Sequence, residues 1–160
     1  MRQLYAAVLL ALLVLGGCNA SPSNAPASAA PTLAPADAAP NATAATSEVL
    51  ERHMKTFGAA DLEGVMADYA PTAVMLTPGG PIAGTEALRK NFQAVLAEWS
   101  KPGTKFTLKQ KTVEGEHAFI AWDAETADNI YEGGMDGFVV RDGKIVAHFF
   151  SGKITPKAKP

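Results

Sequence analysis

Cysteine is nearly absent from this sequence: Cys18 is the only one in 160 residues. No intrachain disulfide, cysteine-rich metal site or second cysteine nucleophile can therefore form. Histidine is scarce too, with His53, His117 and His148 alone and no two at a zinc-ligand spacing. No metal site is expected on this ground. Charge of one sign is also lacking: the formal net charge is −2, and no Lys/Arg cluster is backed by aromatics. Nucleic acid is thus not an expected partner. The chain is long enough for one domain and short for two.

The one long apolar run lies at the start. Arg2 supplies a positive charge, and residues 4–15 are uninterruptedly apolar. Such a run is too short to span a hydrocarbon core of roughly 30 Å as a helix, but it suits the middle of a signal peptide. Leu15-Gly16-Gly17-Cys18 follows directly. This resembles the bacterial lipobox, which implies cleavage before Cys18 and lipidation of its thiol. Residues 1–17 are then a signal peptide, and Cys18 is the point of attachment to a membrane. Two or three acyl chains, at about 0.8 kcal/mol per buried CH₂, hold a protein to a bilayer essentially permanently. The lipoprotein resemblance also implies a place in the cell envelope. In a cell with two membranes that place is the periplasmic face of the outer membrane, because Asn19 is not Asp.

Residues 19–46 carry 12 Ala, 5 Pro and a single charge, Asp37. Prolines recurring every four or five residues forbid a continuous helix. Residues 18–46 are therefore expected to be a lipidated, disordered tether. At about 3.1 Å per residue it would reach roughly 85 Å.

A folded domain is expected over residues 47–155, with a tail at 156–160. Ser47 is a candidate N-cap, and Val49, Leu50, Met54 and Phe57 recur at helical spacing, with His53 inside the same stripe. Gly58 ends that helix. Asp61 caps a short second one carrying Leu62, Val65, Met66 and Tyr69 on its inner face. Val74-Met75-Leu76 reads as a strand bounded by Pro71 and Pro78-Gly79-Gly80-Pro81. Thr85 caps a third helix with Leu88, Phe92, Val95, Leu96 and Trp99, which Lys101-Pro102-Gly103 stops. The period then changes to two. Strands are expected at 105–113, 117–127, 134–141 and 144–154, separated by Glu114-Gly115, Asn129 to Gly133, and Asp142-Gly143. Helices first and an antiparallel meander after is an α+β pattern.

Four segments carry a family resemblance: Gly58-Ala-Ala-Asp61-Leu-Glu63; Asp68-Tyr-Ala-Pro-Thr-Ala-Val-Met-Leu-Thr-Pro78; Gly84-Thr-Glu-Ala-Leu88; and Phe138-Val-Val-Arg-Asp-Gly-Lys-Ile145. Over residues 47–154 they resemble the SnoaL-like branch of the nuclear transport factor 2-like superfamily, to which ketosteroid isomerase belongs. The resemblance implies three N-terminal helices against a curved, mostly antiparallel sheet, enclosing a conical cavity. The fold hosts several reactions as well as binding functions, so it does not by itself select one. Isomerases of this superfamily use an Asp general base with a Tyr and a protonated Asp as oxyanion donors. By resemblance, the base falls at Thr77, the donor Tyr at His53 and the donor Asp at Asp136. A threonine hydroxyl is no base near neutral pH, which speaks against the isomerase mechanism.

His148 joins the candidates through the last hairpin. With a three-residue loop at Arg141-Asp142-Gly143, Asp136 faces His148; with a two-residue loop it faces Phe149, and the pair is lost. His53, Asp136 and His148 are thus the candidate acid–base group, with Tyr69, Thr77, Trp122, Phe138 and Phe150 as candidate ligand contacts. Each has a plainer reading. His53 would serve as a hydrogen-bonded core residue, and Asp136 would satisfy a backbone amide near Gly133-Gly134. His117 sits beside a turn. Asp123 and Glu125 face away from Trp122, Ala124 and Thr126, and a charged outer sheet face is the simpler account of them. Met54, Met66, Met75 and Met135 suit adaptable packing or pocket lining.

The expectation is a tethered domain that binds a small apolar or carbonyl-containing ligand without catalysis and without a cofactor. Acid–base catalysis by His53, Asp136 and His148 is the first alternative, and an envelope protein-interaction domain the second. A homodimer through the sheet is compatible with all three.

Overall fold

The computed structural model describes residues 38–158. The signal segment, Cys18 and the tether up to Asp37 lie outside the described residues. The expected α+β architecture is present: α1 (Ala38–Gly58), α2 (Leu62–Ala67), β1 (Tyr69–Thr77), β2 (Gly80–Ala83), α3 (Thr85–Trp99), then β3 (Lys105–Glu114), β4 (His117–Glu125), β5 (Asn129–Arg141) and β6 (Lys144–Pro156). The six strands form one sheet in the order β2-β1-β6-β5-β4-β3. Only the β1–β6 pair is parallel.

Several boundaries differ from the sequence reading, each for a local reason. Helix α1 begins at Ala38, not at Ser47. Pro40 falls in the first turn, where its missing N–H has no helical partner to lose. Alanines then favour helix, and two threonines dock it: Thr46 Oγ1 donates to the Gly115 carbonyl at 2.8 Å, and the Gly115 N–H donates to Thr43 Oγ1 at 2.8 Å. Asp61 does cap α2, accepting the Gly64 N–H at 2.9 Å, but the helix ends at Ala67 and Tyr69 opens β1. Pro78-Gly79 is a hairpin turn leading into β2, a strand too short to show a period. Gly84, not Thr85, is the N-cap of α3; the Thr85 hydroxyl instead donates to the Pro71 carbonyl at 3.3 Å. Asn129 to Gly133, expected as a loop, is the first part of β5.

The last hairpin corrects the register argument. Asp142 and Gly143 both have positive φ, 50° and 70°, and form a two-residue loop with Arg141 opposite Lys144. An irregularity between Val139 and Val140 then shifts the pairing, so Asp136 lies opposite Phe150 and His148 opposite Phe138. Asp136 and His148 are nonetheless diagonal neighbours on one face, because side chains two apart on a strand share it. Further register shifts occur between Leu108 and Gln110, Trp122 and Ala124, and Glu132 and Met135. Bulges of this kind bend strands and raise twist, and they curl the sheet around the helices.

The concave face carries the core. Val49, Leu50, Val65, Leu88, Phe92, Leu96, Ile120, Val140 and Ile145 are buried between helices and sheet. Across the opposite face runs a row set by the register: Leu76, Phe149, Gly137 and Phe119 on four adjacent strands. Leu76, Phe149 and Met135 are exposed there. Among the described residues, no helix is long and apolar enough to cross a membrane.

Candidate functional site

Between the helices and the curled sheet lies a cavity of about 860 Å³, within the range of small-molecule sites. Its aromatic wall is built from every layer. Phe57 comes from α1, Trp99 from α3, Phe106 from β3, Trp122 from β4, Tyr131 from β5 and Phe150 from β6. Trp99 meets Trp122 edge-on with ring centroids 5.4 Å apart, and Phe150 stacks on Trp122 at 6.2 Å. Trp122 can lie this close to the sheet because residue 134 is glycine. A Cβ there would sit 2.6 Å from the indole ring.

A chain of polar groups crosses the buried end. Trp122 Nε1–H, a donor only, gives its proton to Asp136 Oδ2 at 2.6 Å. His148 Nε2 is 2.9 Å from Asp136 Oδ1, and His148 Nδ1 is 2.8 Å from the Tyr69 hydroxyl. A carboxylate accepts, so His148 carries its hydrogen on Nε2 and accepts the tyrosine proton at Nδ1. Both imidazole nitrogens are committed. Burial raises the Tyr69 hydroxyl well above its ordinary value of 10.0, reinforced by the negative charges of Asp136 and Asp68.

A second buried pair lies beside the first. Asp68 has no exposed side-chain surface, and Arg52 Nε donates to its Oδ1 at 2.6 Å. Its Oδ2 faces His53 Nδ1 at 3.5 Å, too long for a good hydrogen bond, and neither atom has another partner. Burial lowers the pKa of His53 below 6.5, more than its carboxylate neighbours raise it. Burial pushes the Asp68 carboxyl upward, but the approach of His53 and the Arg52 bond outweigh it and hold the group below 3.8.

A third cluster, anchored by Glu98, braces the wall. Its Oε1 accepts from Thr126 Oγ1 at 2.5 Å, Asn129 Nδ2 at 2.8 Å and the Tyr131 hydroxyl at 3.0 Å. Burial, with the bond to Glu98, pushes the Tyr131 hydroxyl up to about 12.

The family model of the SnoaL-like domain matches residues 50–148, most of the described fold. The chain belongs to the SnoaL-like domain family. Solved structures agree at the level of fold. An NTF2-like protein of unknown function from Mesorhizobium loti is 25% identical, with a TM-score of 0.57 over 69% of this chain and 93% of its own. A putative ketosteroid isomerase from Kribbella flavida is 17% identical, with a TM-score of 0.58 over 74% and 84%. A putative polyketide cyclase from Sinorhizobium meliloti is 17% identical, with a TM-score of 0.54 over 65% and 94%. No curated protein matches the sequence.

Within this SnoaL-like domain, His53, Asp136 and His148 all border the cavity, as do Thr77, Trp122, Phe138 and Phe150. Tyr69 does not; it stands behind His148 and is buried. The Thr77 hydroxyl donates to the Gly80 carbonyl at 3.0 Å, shaping the β1–β2 turn. Asp136 binds Trp122 and His148, and not a backbone amide. Asp123 and Glu125 form the charged outer face, paired with Lys109 and Lys157. Met54 and Met75 line the cavity and Met66 is core, whereas Met135 points outward. Sequence reasoning missed Arg52 and Asp68, whose meeting depends on how α1 crosses the start of β1. It also missed Tyr131, which sat in a presumed loop. Phe57 and Trp99 were visible as stripe residues, but periodicity does not separate wall from core.

Proposed function

We propose that this domain binds a small, mainly apolar molecule with one polar end and performs no chemistry on it. The observation that carries this reading is the cavity itself: eight Phe, Trp and Tyr rings around one carboxylate that is held by two donors. Such a site offers apolar burial and a single polar anchor. The equipment for proton transfer is committed elsewhere. Thr77 occupies the position of the isomerase base and its hydroxyl is bonded to Gly80; His148 has no nitrogen left for a substrate. Native mass spectrometry of the purified chain tests the reading. A retained small molecule lost from His53→Ala and Asp136→Asn supports it, and equal retention by both variants refutes the site.

Catalysis is the second reading, favoured by the unbroken Tyr69–His148–Asp136 chain. It requires the His148 bonds to rearrange when substrate enters. Two further proposals concern setting. The chain is lipidated at Cys18 and held at a membrane in the cell envelope, which Cys18→Ala would abolish. A second copy packs on the exposed row around Leu76 and Phe149, an apolar strip that one protomer leaves in water.

A further inference from the structure

Which polar end the ligand carries follows from where the protons point. Asp136 is the only carboxylate or fixed charge lining the cavity among the described residues; no Lys or Arg lines it. Its two neighbours spend their hydrogens on it: Trp122 Nε1–H on Oδ2 and His148 Nε2–H on Oδ1. Neither donor is left for an occupant, while each carboxylate oxygen keeps a lone pair. His53 adds to the same sense. Its Nδ1 faces the Asp68 carboxylate, which draws the ring hydrogen to that side and leaves Nε2 with a lone pair. The hydroxyls of Thr77, Ser100, Thr104 and Tyr131 all donate to protein acceptors. Of the other lining side chains with N–H groups, both on α3, Trp99 is hydrogen-bonded to Tyr131 and Asn91 Nδ2 lies 3.8 Å from Met75 Sδ.

We infer that the cavity is built for a hydrophobic organic cation, a protonated amine whose N–H groups point at Asp136 and whose apolar body lies among the aromatic rings. This deepens the proposed function and rests on it. A ketone or ester brings only acceptors to a surface of acceptors, and a carboxylate adds like-charge repulsion to that mismatch. An ammonium ion supplies up to three donors and the opposite charge. Burying that ion is costly unless it is paired, and Asp136 pairs it.

Both tryptophans of the chain, Trp99 and Trp122, line the cavity, so intrinsic fluorescence reports its occupancy. The test is titration of the full chain at neutral pH with phenylbutylamine, benzylacetone and phenylbutyrate, which share a phenyl-alkyl body and differ in the polar end. The amine is expected to bind at least about tenfold more tightly than the other two, about 1.4 kcal/mol. Asp136→Asn should erase most of that preference, because the amide removes the negative charge and one of the two acceptors. Ketone or carboxylate binding as tightly as amine overturns the inference and leaves the small-molecule cavity standing. A ranking unchanged in Asp136→Asn also overturns it. No binding by any of the three overturns both readings. Because the wild-type ranking decides by itself, misfolding of the variant does not protect the proposal.

Discussion

At the scale of single residues, the buried Asp68, just before β1, and its α1 neighbours Arg52 and His53 set the domain's response to substitution and pH. Arg52 is the one full hydrogen-bond donor to the Asp68 side chain. Removing it leaves a buried carboxylate without its cation; because the Arg52 side chain is half-exposed and water can reach the gap, Arg52→Ala is expected to cost about 1–3 kcal/mol. A urea melt measures this. His53 governs the response to acid. Its pKa is lowered in the folded state, so the unfolded chain binds more protons as pH falls below about 6.5. The contribution of His53 to stability should therefore be level above neutral pH and fall as pH drops below about 6.5. Asp68, also lowered, adds a second loss once pH falls below about 3.8, where the unfolded chain again takes up protons first. Melting temperatures across this range check both windows. His53→Phe should flatten the first decline and also weaken the second, because His53 helps to hold Asp68 low; an unchanged slope at about pH 6 would show that His53 is not the source of the first.

Among the elements, β4 to β6 matter most, because their bulges and glycines place Trp122 against Asp136. A methyl group at residue 134 would overlap the indole ring. Gly134→Ala is expected to destabilise the fold by about 1–3 kcal/mol, and also to pull Trp122 Nε1 from Asp136. A red shift of tryptophan emission together with lost amine preference would report that displacement; unchanged emission would count against it. These elements also show what the sequence carries. The helices of the core were legible because Val49, Leu50, Leu88, Phe92 and Leu96 repeat at the helical period. Three of the four late strands began where the alternation did. The start of α1 was not legible, because its early turns are held by Gly115, some 70 residues away. The Asp136–His148 meeting was anticipated as a direct cross-strand pair through a three-residue loop; the two-residue loop and the bulge beyond it make them diagonal neighbours on one face instead, and no local pattern announces that bulge.

For the whole molecule, the two faces of the sheet separate two kinds of interaction. The concave face holds the cavity, and the convex face presents Leu76, Phe149 and Met135. If a second copy covers that row, Phe149→Lys should convert a dimer to monomer in sedimentation while leaving amine binding intact. A monomeric wild-type chain would refute the contact. Phe149 is suited to this test because it points away from His148 and Phe150, its cavity-lining neighbours in sequence.

The strand order has one more effect, on self-association by the backbone. The sheet is unclosed, so β2 and β3 form its two free edges. Free edges invite strand addition from another chain and are the usual start of β aggregation. Here β2 spans only Gly80–Ala83 and contains Pro81. Edge β3 carries Lys105, Lys109 and Lys111, each paired with an acidic side chain. One edge is too short to template a strand and the other is guarded by charge. Many copies crowded on one surface would therefore be protected from joining into fibrils edge to edge.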